Sequence, residues 1–201
     1  MLTLHVGKNS IALAAHAALE EAGCAYDVAW VDLAAGDQHG AAYQALNPKG
    51  RVPTLITPEG PLTEVVAILE WIAATQAPHL MPDTPWHAAK AREMMLYVAA
   101  TMHVAHAHRF RGHRWTDDAD AQAALTAHVP QAMAACAAHV EGQLTGDWVG
   151  DAFCVADLHL WTVARWLPGD GVAMDGYPKL RALCDRVAAR PAVARVVKLH
   201  G

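Results

Sequence analysis

The chain has 201 residues, of which 54% are hydrophobic and 17% are charged, so it is long and apolar enough to bury a sizeable core. Its formal net charge of −5 argues against a general nucleic-acid-binding surface, which needs clustered lysine and arginine. No apolar stretch reaches the roughly 18–20 residues that span a bilayer, and the first residues lack a signal-peptide pattern. We therefore expect a cytoplasmic protein with neither a nucleic acid nor a membrane as partner.

The first third of the chain alternates between strand and helix patterns. In chain order the predicted elements are a strand at 2–6, a helix at 11–23, a strand at 25–33, a short helix at 38–46, a strand at 52–57, a strand near residue 62 and a helix at 63–76. The first helix stops at Gly23, and the turn sequence PEG at 58–60 predicts a hairpin. This β-α-β-α-β-β-α order is typical of a small sheet with helices packed on it.

The character of the chain changes after residue 76. Residues 77–86 contain three prolines and are predicted to form an interdomain linker. The alanine-rich remainder has helical patterns at 87–110, 118–144, 155–166, 177–190 and 192–199. We therefore predict an α/β domain at 1–76, a linker at 77–86 and an all-α helical bundle at 87–201. The four scattered cysteines are predicted to be free thiols, because no CxxC spacing occurs.

Three stretches point to a family by their order and spacing. They are NPKGRVPTL at 47–55, LTEVVAILEWIA at 62–73, and DAFCVADLHLW at 151–161 followed by RVAARPAV at 186–193. Over essentially the whole chain this arrangement resembles the cytosolic glutathione transferases, and most closely the bacterial beta class. The resemblance implies a thioredoxin-like N-terminal domain, an all-helical C-terminal domain that forms the co-substrate pocket, and a homodimer.

The same resemblance implies a site for glutathione as co-substrate. The backbone of Val52 would pair with the cysteinyl part of glutathione, and Pro53 would be cis. Glu64 would hold the γ-glutamyl ammonium, and the backbone N–H of Val65 would meet the γ-glutamyl carboxylate at a helix start. Much of the wider family has serine at the Val65 position, and the loss of that hydroxyl should weaken binding by roughly 1 kcal/mol. Other beta-class contacts are replaced by Leu96, Val104 and Gly36.

The sequence offers two candidates for the residue that stabilises the glutathione thiolate. The beta-class cysteine is absent, and Ile11 falls at its position with Ser10 one residue earlier. Either Ser10 donates to the thiolate or Asn9 does so through its amide, and Ser10 fits equally well as an ordinary helix N-cap. Without a cysteine here, disulfide-exchange chemistry is not expected.

Four histidines are concentrated in MHVAHAHRFRGH, residues 102–113. His103 matches the beta-class histidine that lies beside the glutathione thiol, and His106 is three positions on, on the same helical face. His108 and His113 are expected to project elsewhere. A zinc site would need three or four converging ligands, and no cysteine or carboxylate nearby completes such a set. We therefore expect no metal.

These patterns leave three functional hypotheses. The first is an enzyme that adds the glutathione thiol to an electrophilic, mostly apolar small molecule, with Ser10 or Asn9 at the thiolate and His103 as an aid or proton donor. The second is a non-catalytic binding protein that keeps the same fold. The third, a glutathione-dependent thiol oxidoreductase, needs a reactive cysteine near the first helix, where the chain offers only Cys24 at the far end.

Overall fold

The computed structural model describes residues 1–201, and the chain divides into two compact units, residues 1–83 with 188–201 and residues 84–187. The strands are β1 (Leu2–Val6), β2 (Tyr26–Trp30), β3 (Thr54–Thr57) and β4 (Gly60–Thr63). The helices are α1 (Ala12–Ala22), α2 (Ala41–Gln44), α3 (Val65–Thr75), α4 (Pro85–Tyr97), α5 (His103–Arg111), α6 (Ala119–Gln143), α7 (Val155–Ala164), α8 (Pro178–Ala188) and α9 (Pro191–His200). None of the helices is both long and apolar enough to cross a membrane.

The sheet of the first unit has the strand order β2-β1-β3-β4. β1 pairs in parallel with β2, whereas β3 is antiparallel to β1 and β4 is antiparallel to β3. Leu4 lies at the centre, opposite Val28 on one side and Leu55 on the other, and it is fully buried. The predicted thioredoxin-like α/β arrangement and the hairpin are thus confirmed.

Helix α1 forms because its sequence consists mainly of alanine and leucine, which are strong helix formers. It ends at Gly23, which takes a left-handed conformation with φ 65°, as the sequence predicts. All residues from Ala12 to Leu19 are buried. A helix that is buried on every side needs partners on two faces, and α3 and α9 supply them.

Helix α9 joins the first unit through paired polar contacts with α1. The Arg190 guanidinium donates two hydrogen bonds to the Glu21 carboxylate at 2.7 and 2.8 Å, and Arg195 donates one to Glu20 at 2.7 Å. The buried rings of His16 and His200 meet at 2.9 Å between Nδ1 and Nε2. Residues 188–201 therefore group with the sheet, whereas the sequence predicts one helical domain over 87–201.

The second unit is helical throughout. α4 begins with Pro85 after Thr84, whose hydroxyl accepts the N–H of His87 at 3.2 Å. The helix predicted over 87–110 is interrupted by a π-helical turn at Val98–Met102, after which α5 starts at His103. α7 is the core of the unit, because every one of its ten residues is buried. All four cysteines are free thiols, as predicted.

Candidate functional site

The loop before β3 holds a cis peptide bond between Val52 and Pro53, as the resemblance implies. A buried polar network supports this loop. The Tyr43 hydroxyl and the Asn47 amide both donate to the carbonyl of Arg51 at 2.7 Å, and the Asn47 amide also donates to the Thr54 hydroxyl at 3.1 Å. Asn47, the first residue of the NPKG motif, is 1% exposed. The side chains of Tyr43 and Asn47 therefore hold the Arg51 carbonyl in place, and with it the peptide bond that leads into Val52.

Helix α3 starts directly after β4, at the residues predicted to hold the γ-glutamyl group. Glu64 has a positive φ of 73°, which is costly for a non-glycine residue, and its side chain is 66% exposed. Val65 is the first residue of α3, and the first N–H groups of a helix have no intrahelical acceptor. A carboxylate of Glu64 and free backbone donors at Val65 thus lie next to each other, a pairing suited to an α-amino acid group.

Lys49 also belongs to this cluster, and the sequence reasoning missed it. Its ammonium donates to the Glu64 carboxylate at 2.6 Å and to the Thr63 hydroxyl at 2.7 Å. The contact joins the NPKG loop to the start of α3 across 15 residues of sequence. Lys49 is the lysine of the NPKG motif, so the sequence does single it out. The motif does not show, however, that Glu64 is the carboxylate to which it donates.

The loop between β1 and α1 carries the two predicted thiolate-stabilising residues. The buried Ser10 hydroxyl donates to the carbonyl of Gly7 at 2.7 Å and accepts the N–H of Ala12 at 3.2 Å. It therefore serves the helix start, as an N-cap does. Asn9 is exposed and has φ 51°. A Cβ on Gly7 would lie 2.5 Å from the side chain of Leu33, so a larger residue where this loop turns would require Leu33 to shift.

In the helical unit the structure brings His103 and His106 together on one side of α5, as predicted. Their ring centroids are 6.5 Å apart, and both rings contact Trp166, at 5.3 Å from His103 and 4.2 Å from His106. The π-helical turn just before His103 adds a residue to one turn of the helix and so changes where the following side chains point. Such turns are common at functional sites.

Asp170 is a second residue that the sequence reasoning missed. Its side chain is fully buried, and its two carboxylate oxygens lie 2.7 Å from His106 Nδ1 and 3.2 Å from the Arg109 guanidinium. The aspartate follows α7 and is 64 positions from His106, so no local pattern links the two. A Cβ on Gly169 would lie 3.1 Å from Arg109 Nη1, a contact closer than usual.

The remaining predicted positions are less involved. The His108 ring packs edge-on against Trp115 at 4.4 Å, and His113 is exposed in the turn after α5. Leu96 is 58% exposed on α4, and Gly36 has a left-handed φ of 84°. No group of three or more histidine, cysteine, aspartate or glutamate side chains is arranged to hold a metal ion.

His159 is a further histidine of the helical unit, and it lies inside α7. It is completely buried, and neither of its ring nitrogens has a hydrogen-bond partner. Burial, with a smaller contribution from the nearby His103, lowers the pKa of His159 to about 3. The ring is therefore neutral at physiological pH and belongs to the core beneath His103.

Two family models match the chain. The model of the glutathione S-transferase N-terminal domain matches residues 2–74, and that of the C-terminal domain matches residues 106–198. Among curated proteins, glutathione S-transferase GstA of Escherichia coli O157:H7 is 30% identical, over 96% of each chain. Maleylacetoacetate isomerase of Pseudomonas aeruginosa is 34% identical, over 78% of this chain and 76% of its own length.

Solved structures agree with these matches. A glutathione transferase homologue from Sulfitobacter, crystallised with bound glutathione, is 42% identical over 99% of this chain and 98% of that chain, with a TM-score of 0.96. The bacterial beta-class glutathione S-transferase of Sphingomonas chungbukensis is 30% identical over 99% and 98%, with a TM-score of 0.84. Because these likenesses extend over both units and nearly every residue, the chain belongs to the glutathione S-transferase family.

Proposed function

We propose that the chain is an enzyme that conjugates the thiol of glutathione to an electrophilic, mostly apolar small molecule. The observation that carries this proposal is the cis-Pro53 loop beside the Glu64–Val65 helix start, in a chain 42% identical to a homologue solved with glutathione bound. We further propose that it acts in the cytoplasm as a homodimer.

Glutathione would bind through groups of the first unit. Val52 presents backbone donors and acceptors for the cysteinyl part, Glu64 takes the γ-glutamyl ammonium, and Val65 offers its N–H to the carboxylate. Lys49 already neutralises Glu64, so the incoming ammonium exchanges one cation for another at that carboxylate.

Thiolate stabilisation falls to the loop between β1 and α1. The Ser10 hydroxyl can serve the thiolate only by giving up its hydrogen bond to Gly7, an exchange of one bond for another that costs about 1 kcal/mol or less. Asn9 is exposed and needs no such exchange. We propose Ser10 or Asn9 at the thiolate, with His103 of the helical unit as aid or proton donor and His106 as a contact for the co-substrate.

Retention on immobilised glutathione and a thiol-conjugation assay test the proposal together. The wild-type chain should be retained and should turn over chlorodinitrobenzene. Ser10→Ala, Asn9→Ala and His103→Ala separate the candidates, because loss of a group that stabilises the thiolate should lower kcat about 100- to 1000-fold. His113→Ala, an exposed histidine, is the control and should leave turnover unchanged. Absence of retention and of turnover on several electrophiles would instead support a non-catalytic binding protein.

A second candidate reaction is cis–trans isomerisation of an activated double bond with glutathione as catalyst. It is favoured by the 34% identity to a protein named maleylacetoacetate isomerase. The two reactions differ in their consumption of glutathione, because conjugation incorporates the thiol into the product and isomerisation releases it unchanged. Incubation with a cis-alkene diacid and glutathione, followed by titration of the remaining thiol, distinguishes them.

A further inference from the structure

A closed ring of four hydrogen bonds supports the loop that precedes β3 in the first unit. Its atoms are the Tyr43 hydroxyl oxygen, the Arg51 carbonyl oxygen, the Asn47 amide nitrogen and the Thr54 hydroxyl oxygen, joined in that order at 2.7, 2.7, 3.1 and 3.0 Å. Tyr43 is 7% exposed, Asn47 1% and Thr54 0%. Water has little access to these three side chains, so their polar atoms depend on one another for partners.

The chemistry of the four groups decides where each hydrogen of this hydrogen-bond ring lies. The Arg51 carbonyl only accepts, so the Tyr43 hydroxyl must donate to it. The two amide hydrogens of Asn47 go to the Arg51 carbonyl and to the Thr54 hydroxyl oxygen. The Thr54 hydroxyl then donates to the Tyr43 oxygen. Burial raises the pKa of Tyr43, which keeps its hydroxyl protonated and able to donate.

The hydrogen-bond ring connects the loop to the middle of the sheet. Thr54 is the first residue of β3, and it pairs with His5 of β1 on one side and with Thr63 of β4 on the other. The segment from Arg51 to Thr54 is therefore held at both ends. Between these ends, the N–H and the carbonyl of Val52 make no hydrogen bond within the chain, so both are available to a ligand.

Asn47 also connects this loop to the start of α3. Its side-chain oxygen accepts the N–H of Lys49 at 3.2 Å, and the Lys49 ammonium donates to the Glu64 carboxylate at 2.6 Å. The Val52 backbone and the Glu64 carboxylate, two groups proposed to bind glutathione, are thus linked through one buried side chain.

We propose that Tyr43, Asn47 and Thr54 are positioning residues for glutathione, because their hydrogen-bond ring holds the Val52 backbone in the conformation that pairs with the cysteinyl part. This inference rests on the proposed function, in which Val52 is a glutathione contact. A loop that is ordered before binding does not have to be ordered by the ligand, so the hydrogen-bond ring raises the affinity for glutathione. It acts equally on the bound substrate and on the transition state, so it changes KM and leaves kcat unchanged.

Two variants break the hydrogen-bond ring with little change of shape. Tyr43→Phe removes the hydroxyl and keeps the edge-on contact with His5, whose ring centroid is 5.6 Å away. Thr54→Val removes the other hydroxyl and keeps a β-branched residue in the strand. For each we expect the dissociation constant of glutathione, measured by isothermal titration calorimetry, to rise about five- to tenfold. We expect kcat with chlorodinitrobenzene at saturating glutathione to stay within about twofold.

Three further variants serve as controls. Tyr26→Phe removes the hydroxyl that donates to Glu20 at 2.8 Å in the same unit, and it should leave the dissociation constant unchanged. Thr54→Ser keeps a hydroxyl and should bind glutathione within about twofold of the wild type. The double variant Tyr43→Phe with Thr54→Val should bind no more than about twofold more weakly than the weaker single variant, because both changes break the same hydrogen-bond ring.

The outcomes separate this inference from the proposed function. If the wild-type chain binds glutathione and turns over the electrophile, but Tyr43→Phe and Thr54→Val bind like the wild type, only the positioning role is overturned. A fall in kcat or in the amount of folded protein, with an unchanged dissociation constant, also overturns it.

The remaining results concern the wild-type chain and the folding of the variants. If the wild type binds glutathione without turnover, the conjugation fails, and the calorimetric comparison still decides the positioning role. If the wild type does not bind glutathione, both proposals fail. If Tyr43→Phe does not fold, Thr54→Val and Thr54→Ser decide the matter, because they differ only in the presence of the hydroxyl and the branching at Cβ.

Discussion

His159 shows how a single buried side chain ties the stability of the helical unit to pH. A histidine buried in a core stays neutral, because the charged ring would lose its hydration there. Its pKa falls from 6.5 to about 3, so the stability that it contributes is fully present above about pH 6.5 and is lost as the pH falls toward 3. His16 in the first unit, whose pKa burial lowers to about 4, acts with the same sign.

The first prediction concerns His159→Leu. Between about pH 7.5 and pH 5 the free energy of unfolding of the wild-type chain should fall by about 2 kcal/mol more than that of the variant, because only the wild type gains a proton at this position on unfolding. Urea unfolding at several pH values measures this difference. His79→Leu, at an exposed position, should follow the wild-type curve, and parallel curves for wild type and His159→Leu would refute the prediction.

Single side chains also show where prediction from the sequence reaches its limit. The cis-Pro53 bond, the Glu64 position before a helix and the pairing of His103 with His106 follow from local spacing or from motif resemblance. Asp170 could not be found in this way, since its partner is 64 positions away and only the fold brings the two together. From the sequence Ser10 fits either an N-cap or a thiolate donor; the N–H of Ala12 that its hydroxyl accepts supports the first role, and the second stays a prediction.

Helix α7 depends on a carboxylate at its start. Asp157 accepts hydrogen bonds from the N–H groups of Val149 and Cys154, both at 2.8 Å, and it is fully buried. Asp157 stands three positions after the N-cap residue Cys154, which is the spacing of a capping box. Because α7 is buried along its whole length, an unpaired N–H donor at its start cannot form a hydrogen bond with water instead.

The second prediction compares two capping aspartates. Asp157→Ala should lower the free energy of unfolding by about 2–4 kcal/mol, because the buried N–H of Cys154 and the part-buried N–H of Val149 both lose their acceptor. Asp118→Ala, at the exposed start of α6, should cost only about 1 kcal/mol, because water can replace the lost acceptor. Denaturant unfolding measures both, and equal losses would contradict the role of burial.

The helix boundaries were predictable to within a few residues where capping signals are present. Gly23 ends α1, and Thr84 with Pro85 begins α4 inside the stretch predicted as a linker. The π-helical turn at Val98–Met102 was not predicted, because a continuous alanine-rich pattern gives no sign of one extra residue in a turn. This turn matters because it directly precedes His103.

At the level of the whole chain, the last fourteen residues return to the unit in which the chain begins. Helical patterning alone assigned 188–201 to the helical domain, because periodicity reports that a helix forms and not what it packs against. The partners, Glu20 and Glu21 on α1, are about 170 positions away. The first unit is therefore complete only once residues 188–201 have joined it.

The third prediction tests this closure. Arg190→Ala should destabilise the first unit by about 2 kcal/mol, because it removes a two-bond contact to Glu21, whose side chain is 10% exposed. Arg195→Ala should cost less than about 1 kcal/mol, since that side chain is 60% exposed. Hydrogen exchange should show the loss of protection in α1 rather than in α7, and a loss confined to α7 would contradict the assignment.

The catalytic role of the chain is decided most directly by its steady-state turnover of chlorodinitrobenzene as the glutathione concentration is varied. We predict a rate well above the uncatalysed one that saturates with glutathione. In Glu64→Gln the KM for glutathione should rise about tenfold, because a charge-assisted hydrogen bond to the ammonium is lost. A rate equal to the uncatalysed reaction, or one with no dependence on Glu64, would contradict the proposed function.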